Sequence, residues 1–66
     1  MVRNLLKAKM ALKEKNYEDC ATELGMTVSN YSRKMNNQVP FSIDQVLTLS
    51  RFLRLTTTEL QDIFLV

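Results

Sequence analysis

At 66 residues the chain has room for one domain with a modest core, hiding only about 60% of the surface its unfolded form exposes. A single cysteine and no histidine exclude an internal disulfide, a zinc cage and a Ser-His or Cys-His catalytic pair, and a single glycine excludes a glycine-rich phosphate loop. Catalysis, a cofactor, a metal or a small-molecule ligand is therefore not expected, and with a net charge of only +2 any partner must be met by charge placement rather than by overall charge.

That placement is segregated. Arg3, Lys7, Lys9, Lys13 and Lys15 face only Glu14 over residues 1–15, whereas residues 16–25 hold Glu18, Asp19 and Glu23 with no base. Residues 26–40 carry Arg33 and Lys34 with no acid. Segregation of this kind builds a basic face on a nearly neutral molecule, and such a face steers an anionic partner; a solvated surface without a partner is the plainer reading. The longest apolar run, Ile63 to Val66, falls far short of the ~20 residues that span a bilayer. Lysines also interrupt the N-terminal apolar positions, so a cytoplasmic protein without a membrane partner is expected.

Along the chain, Val2, Leu6 and Met10, with Leu5 beside them, form the stripe of a first helix that fades near Lys15. Asn16 is a good N-cap, and Glu18 and Asp19 suit the positive end of a second helix. Tyr17, Cys20, Ala21 and Leu24 give that helix its apolar side, and Gly25 ends it in the left-handed conformation. Thr27 caps a third helix running from Val28 to about Asn36, with Asn37 as a candidate left-handed exit. Ser42 and Gln45 form a capping box for a fourth helix, whose inner side is expected to hold Ile43, Val46, Leu47, Ser50 and Leu53. Thr56 and Glu59 form another for a fifth helix, with Leu60, Ile63 and Phe64 inward. The expected fold is all-α: a compact bundle of five short helices.

The informative stretch is YEDCATELGMTVSNYSRKMN, Tyr17 to Asn36. A short helix, a sharp glycine turn and a second helix make a helix-turn-helix. Ala21 is small where the two helices cross. Cys20, Leu24, Tyr31 and Met35 close the core between them, and Val28, Ser29, Ser32, Arg33 and Asn36 point outward. That surface is narrow and polar enough to enter a major groove.

From about Asn4 to Phe64 the sequence resembles the XRE-type helix-turn-helix family, which includes phage Cro proteins and phage repressor DNA-binding domains. The resemblance rests on Ala21 and Gly25 at their spacing, on the SRKMN segment and on the Leu53, Leu55, Thr56–Leu60 entry into the last helix. It implies a lambda-repressor-like bundle whose third helix reads double-stranded operator DNA through Val28, Ser29, Asn30 and Arg33. It also implies phosphate contacts at Asn16, Tyr17, Asn36, Asn37 and Gln38; Ser32, like Ser29 and Asn30, suits a base or a phosphate. The function implied is that of a small phage or mobile-element transcriptional regulator in a bacterial cell. Cys20, Tyr31, Asn37 and Val28 depart from the residues usual in the family.

Arg33 is the best candidate for a base contact because arginine pairs with guanine through two bonds; a phosphate contact or a solvated surface is the other reading. Lys34 is a surface or phosphate lysine, Cys20 a core residue rather than a redox switch, and Met10, Met26 and Met35 core filler. The length leaves no separate dimerisation domain, so a homodimer is expected to use the bundle itself, through Phe64, Leu65 and Val66 with Leu55 and Thr57. The alternative function is that of an antirepressor or modulator that binds a partner phage repressor through the helix-turn-helix surface, favoured by Val28 on the reading helix and by the low net charge.

Overall fold

Local chemistry sets where the helices begin. Asn16, Ser42 and Thr56 each accept the backbone N–H three residues on, while Asp19, Gln45 and Glu59 accept the backbone N–H of the capping residue in return. Thr27 accepts from Asn30 in the same position, without the reciprocal bond. These caps satisfy N–H groups that every helix start leaves without an intrahelical partner. In the computed structural model, which describes residues 1–65, they open four of five helices: α1 (Arg3–Leu12), α2 (Tyr17–Glu23), α3 (Val28–Met35), α4 (Ile43–Phe52) and α5 (Thr57–Phe64). The described residues contain no strand, so the chain is an all-α five-helix bundle.

The first four helices end in one way. Glu14, Gly25, Asn37 and Arg54 hold the left-handed conformation, with φ of 59°, 68°, 60° and 54°. At each exit two backbone N–H groups fold back onto the last turn, as when Gly25 N–H meets Thr22 O at 3.1 Å and Met26 N–H meets Ala21 O at 3.0 Å. This is the Schellman arrangement. Gly25 and Asn37 carry the residue types that announce it; Glu14 and Arg54 do not, yet their exits carry the same paired backbone bonds.

One apolar cluster joins all five helices: Leu6 and Met10, Cys20 and Ala21, Tyr31 and Met35, Leu49 and Leu53, and Ile63. Tyr31 stands at its middle. Its ring meets Tyr17 edge-on at 5.3 Å and Phe41 at 5.9 Å, and Phe41 meets Phe64 at 6.0 Å. Its hydroxyl donates to the Met10 sulfur at 3.3 Å. The helix-turn-helix is therefore anchored to α1 and to the loop before α4 through a single α3 side chain.

The inner side of α4 differs from expectation. Leu49, Ser50 and Leu53 are buried, but Ile43 is 79% exposed and Leu47 42%. Apolar residues at 43, 46, 47, 49 and 53 satisfy two neighbouring stripes of one helix, and packing against α2 selects the stripe through Leu49 and Leu53. Buried Ser50 turns its hydroxyl onto the Val46 carbonyl at 2.7 Å, which satisfies it without a partner helix. Among the described residues no helix is long and apolar enough to cross a membrane.

Candidate nucleic-acid interface

The outward face of α3 follows from its inward one. Tyr31 and Met35 are fully buried. At about 100° per residue, Arg33 lies roughly 180° around the helix from the midpoint between them, with Ser29 and Asn30 to either side. All three are exposed, and among the described residues their side chains are free of intramolecular hydrogen bonds. Val28, expected to point outward, lies by the same arithmetic about 40° from the buried direction and so on the inward half of the helix; it is 45% exposed because it stands in the first turn. Asn30 and Arg33 share a shallow hollow with Met26, Val39 and Gln45. The surface thus offers a hydroxyl, a carboxamide and a guanidinium side by side, donors and acceptors of the kind that engage base edges.

The six residues expected at phosphates have different surroundings. Asn16 is exposed, yet its side-chain oxygen accepts Asp19 N–H at 2.8 Å and its own N–H is taken by the Asp19 carboxylate at 3.0 Å. Glu18 and Asp19 occupy the first turn of α2, so this helix start meets an anion with two carboxylates and only the Asn16 amide group and the Tyr17 hydroxyl in its favour. Tyr17 is half-buried through its ring contact with Tyr31, and Ser32 is half-buried as well. Asn36, Asn37 and Gln38 are exposed at the α3 exit, where the N–H groups of Asn37 and Gln38 bond back to Lys34 and Arg33 carbonyls.

A cation that sequence reasoning did not place joins them there. Arg3, at the start of α1, donates from Nη1 to Asn36 Oδ1 at 2.9 Å, so a guanidinium stands at the C-terminal end of α3. No local pattern signals a contact between residues 33 positions apart. Lys34 behaves in the opposite way: its ammonium donates to the Pro40 carbonyl at 3.0 Å and sits 5.8 Å from the Phe41 ring centroid. It fastens the loop after α3 rather than reaching outward.

The sole cysteine, Cys20, is buried behind this surface. Burial pushes its thiol above the usual value, against the lowering effect of its contact with the Tyr31 hydroxyl. A thiol held protonated is a poor nucleophile, which agrees with a core role. Among the described residues no group of three or more metal-ligating side chains is assembled.

A second feature lies away from α3. Phe41, Ile43, Leu47, Leu60, Phe64 and Leu65 line an open apolar groove of about 530 Å³ along α4 and α5. Of the residues expected to pair two chains, Phe64 and Leu65 line this groove, Leu55 is half-buried, Thr57 is exposed, and Val66 lies outside the described residues. No known family, curated protein or solved structure matches this chain in comparison.

Proposed function

We propose that the chain binds double-stranded DNA with α3 in the major groove and acts as a small transcriptional regulator of the Cro type, the function its sequence resemblance implies. The observation that carries this reading is the α2–turn–α3 unit. Two short helices are clamped by Tyr31 and turned at Gly25, and they leave Ser29, Asn30 and Arg33 together on the face opposite the core. Arg3, Asn36, Asn37 and Gln38 support it from the α3 exit, where a guanidinium and carboxamides suit the phosphates flanking a reading helix. In this role two chains pair on a two-fold site whose half-sites lie about 34 Å apart, and the apolar groove of α4 and α5 supplies the surface for pairing.

A second reading is favoured by the exposure of Val28. An apolar residue at the start of α3 packs on a thymine methyl in DNA, but it equally suits a partner protein such as the repressor of the same genetic switch. Backbone amide NMR during titration separates the two. With a mixed-sequence duplex at low salt, the resonances of Ser29, Asn30, Arg33 and Asn36 shift first and the α4–α5 groove follows only as chains pair. If the duplex moves no α3 resonance while a repressor domain does, DNA binding is refuted as the primary role.

A further inference from the structure

We propose that the end of the bundle where α1 and α4 both stop is a second phosphate-binding surface, which holds the backbone of a nucleic-acid duplex without reading its sequence. It depends on the preceding functional reading only for the ligand, not for any residue of α3.

Lys13 and Lys15, from the turn after α1, meet Arg51 and Arg54, from the end of α4, around one open hollow of about 520 Å³ whose only other lining residue is Phe52. Lys15 lies over the Phe52 ring, its ammonium 5.0 Å from the centroid. The fold, not the sequence, gathers these four cations. Among the described residues the one ion pair is Lys9 with Glu59, so none of the four has a carboxylate partner. Cations at helix C-termini are stabilised by the helix dipole, but each end supplies only about half a negative charge. With Glu14 counted as well, roughly two positive charges remain unanswered. Like charges held together around one hollow favour an anion that bridges them.

The lining decides which anion. An acidic protein segment gains most of its affinity from an aromatic or aliphatic anchor seated in a pocket. Here the only apolar surface is the Phe52 ring, and Lys15 already covers its face. A phosphate backbone needs no such anchor, because its binding is driven by counterions released as cations neutralise phosphates. Position agrees. Lys15 immediately precedes Asn16, the cap of α2, so the cluster borders the helix-turn-helix on the side where Glu18 and Asp19 leave the α2 start unfavourable to phosphate.

The test is the salt dependence of binding to a mixed-sequence duplex of about 20 base pairs, two helical turns, followed by fluorescence anisotropy. The chains compared are the unaltered protein, K13Q/K15Q/R51Q/R54Q, and S29A/N30A/R33A. A K13Q/R54Q variant, which keeps Lys15 over Phe52, guards against loss of fold, and circular dichroism checks all of them. The quadruple variant is expected to lower the log–log salt slope by up to about 3.6 and to weaken all sequences alike, at ~0.9 per phosphate neutralised. K13Q/R54Q should lower it by about half as much. An unchanged slope in both cluster variants, with binding weakened only by S29A/N30A/R33A, overturns this inference and leaves the α3 reading standing. Loss in the quadruple variant with S29A/N30A/R33A unaffected upholds this inference and refutes the α3 reading. If polyglutamate rather than the duplex binds through the four residues, the surface is a protein dock and the inference falls.

Discussion

Replacing Tyr31 by phenylalanine isolates the hydroxyl at the centre of the core. The ring is fully buried between Tyr17 and Phe41, and its hydroxyl donates to the Met10 sulfur at 3.3 Å. A thioether is a weak acceptor, so this bond returns less than the ~1 kcal/mol of an ordinary one, while burying a hydroxyl costs ~1–3 kcal/mol. The bond offsets only part of that cost, so Tyr31→Phe should leave stability at neutral pH unchanged or raise it by up to ~2 kcal/mol. Tyr31→Ala removes the ring as well, at ~3–5 kcal/mol, which approaches the whole stability of a chain this short, roughly 3–10 kcal/mol.

The hydroxyl also carries a pH signature. Burial, reinforced by contact with the Cys20 thiol, raises the Tyr31 pKa well above its ordinary 10.0. The stability this proton confers is whole below pH 10 and is lost as pH climbs towards the raised folded value, because the unfolded chain releases the proton first. Cys20, raised from 9.0, adds a loss of the same sign that begins near pH 9 in both proteins and is larger in Tyr31→Phe, which lacks the hydroxyl that lowers it. Urea unfolding followed by circular dichroism from pH 7 to 11 reads both effects. Tyr31→Phe should parallel the unaltered chain up to pH 9 and lose stability less steeply above pH 10, where the Tyr31 proton is released from the unfolded chain. A loss above ~2 kcal/mol at pH 7, or parallel curves through pH 10–11, refutes this account of the core.

Other perturbations have equally definite outcomes. No atom lies within 4 Å of a Cβ added at Gly25, so Gly25→Ala should cost only the ~1–2 kcal/mol of left-handed backbone strain, read from the urea midpoint; a larger loss means an unseen clash. Ser42→Ala and Thr56→Ala should each cost ~1 kcal/mol by removing a cap, and the double variant should show the sum, since they open separate helices. Glu59 is held down to about 2 by its ion pair with Lys9 and by the Thr56 N–H. Its stabilisation is present above pH 4.5 and is lost as pH falls towards 2, so acid unfolding of Glu59→Gln, followed by circular dichroism, should be flatter over that window.

What the sequence revealed was what short-range chemistry controls. Asn16, Thr27, Ser42 and Thr56 mark helix starts because a cap involves residues three apart, and Gly25 marks its turn because only its residue type takes φ 68° freely. The left-handed exits at Glu14 and Arg54 were illegible because nothing in those residue types announces them. Ile43 and Leu47 were misplaced inward because periodicity fixes a stripe only to within one position, and the choice is made by a helix elsewhere in the chain. At the candidate site, Ser29, Arg33 and Asn36 are readable as outward from the spacing of Tyr31 and Met35, but Asn30 enters only through the family resemblance, and Ser32 is half-buried and Val28 on the inward half of the helix. Arg3 beside Asn36, and Lys13 and Lys15 beside Arg51 and Arg54, are not readable, because each pairing exists only once the bundle has closed.

The central claim is that the α3 face reads DNA. Repeated selection of bound molecules from a pool of randomised duplexes tests it most directly, run in parallel with the unaltered chain and with Arg33→Ala. The account predicts a defined sequence with two-fold symmetry from the first. From the second it predicts the same sequence relaxed at one base pair in each half-site, with affinity lowered by ~1–3 kcal/mol. No enrichment with the unaltered chain, or an identical motif and affinity from both proteins, would contradict it.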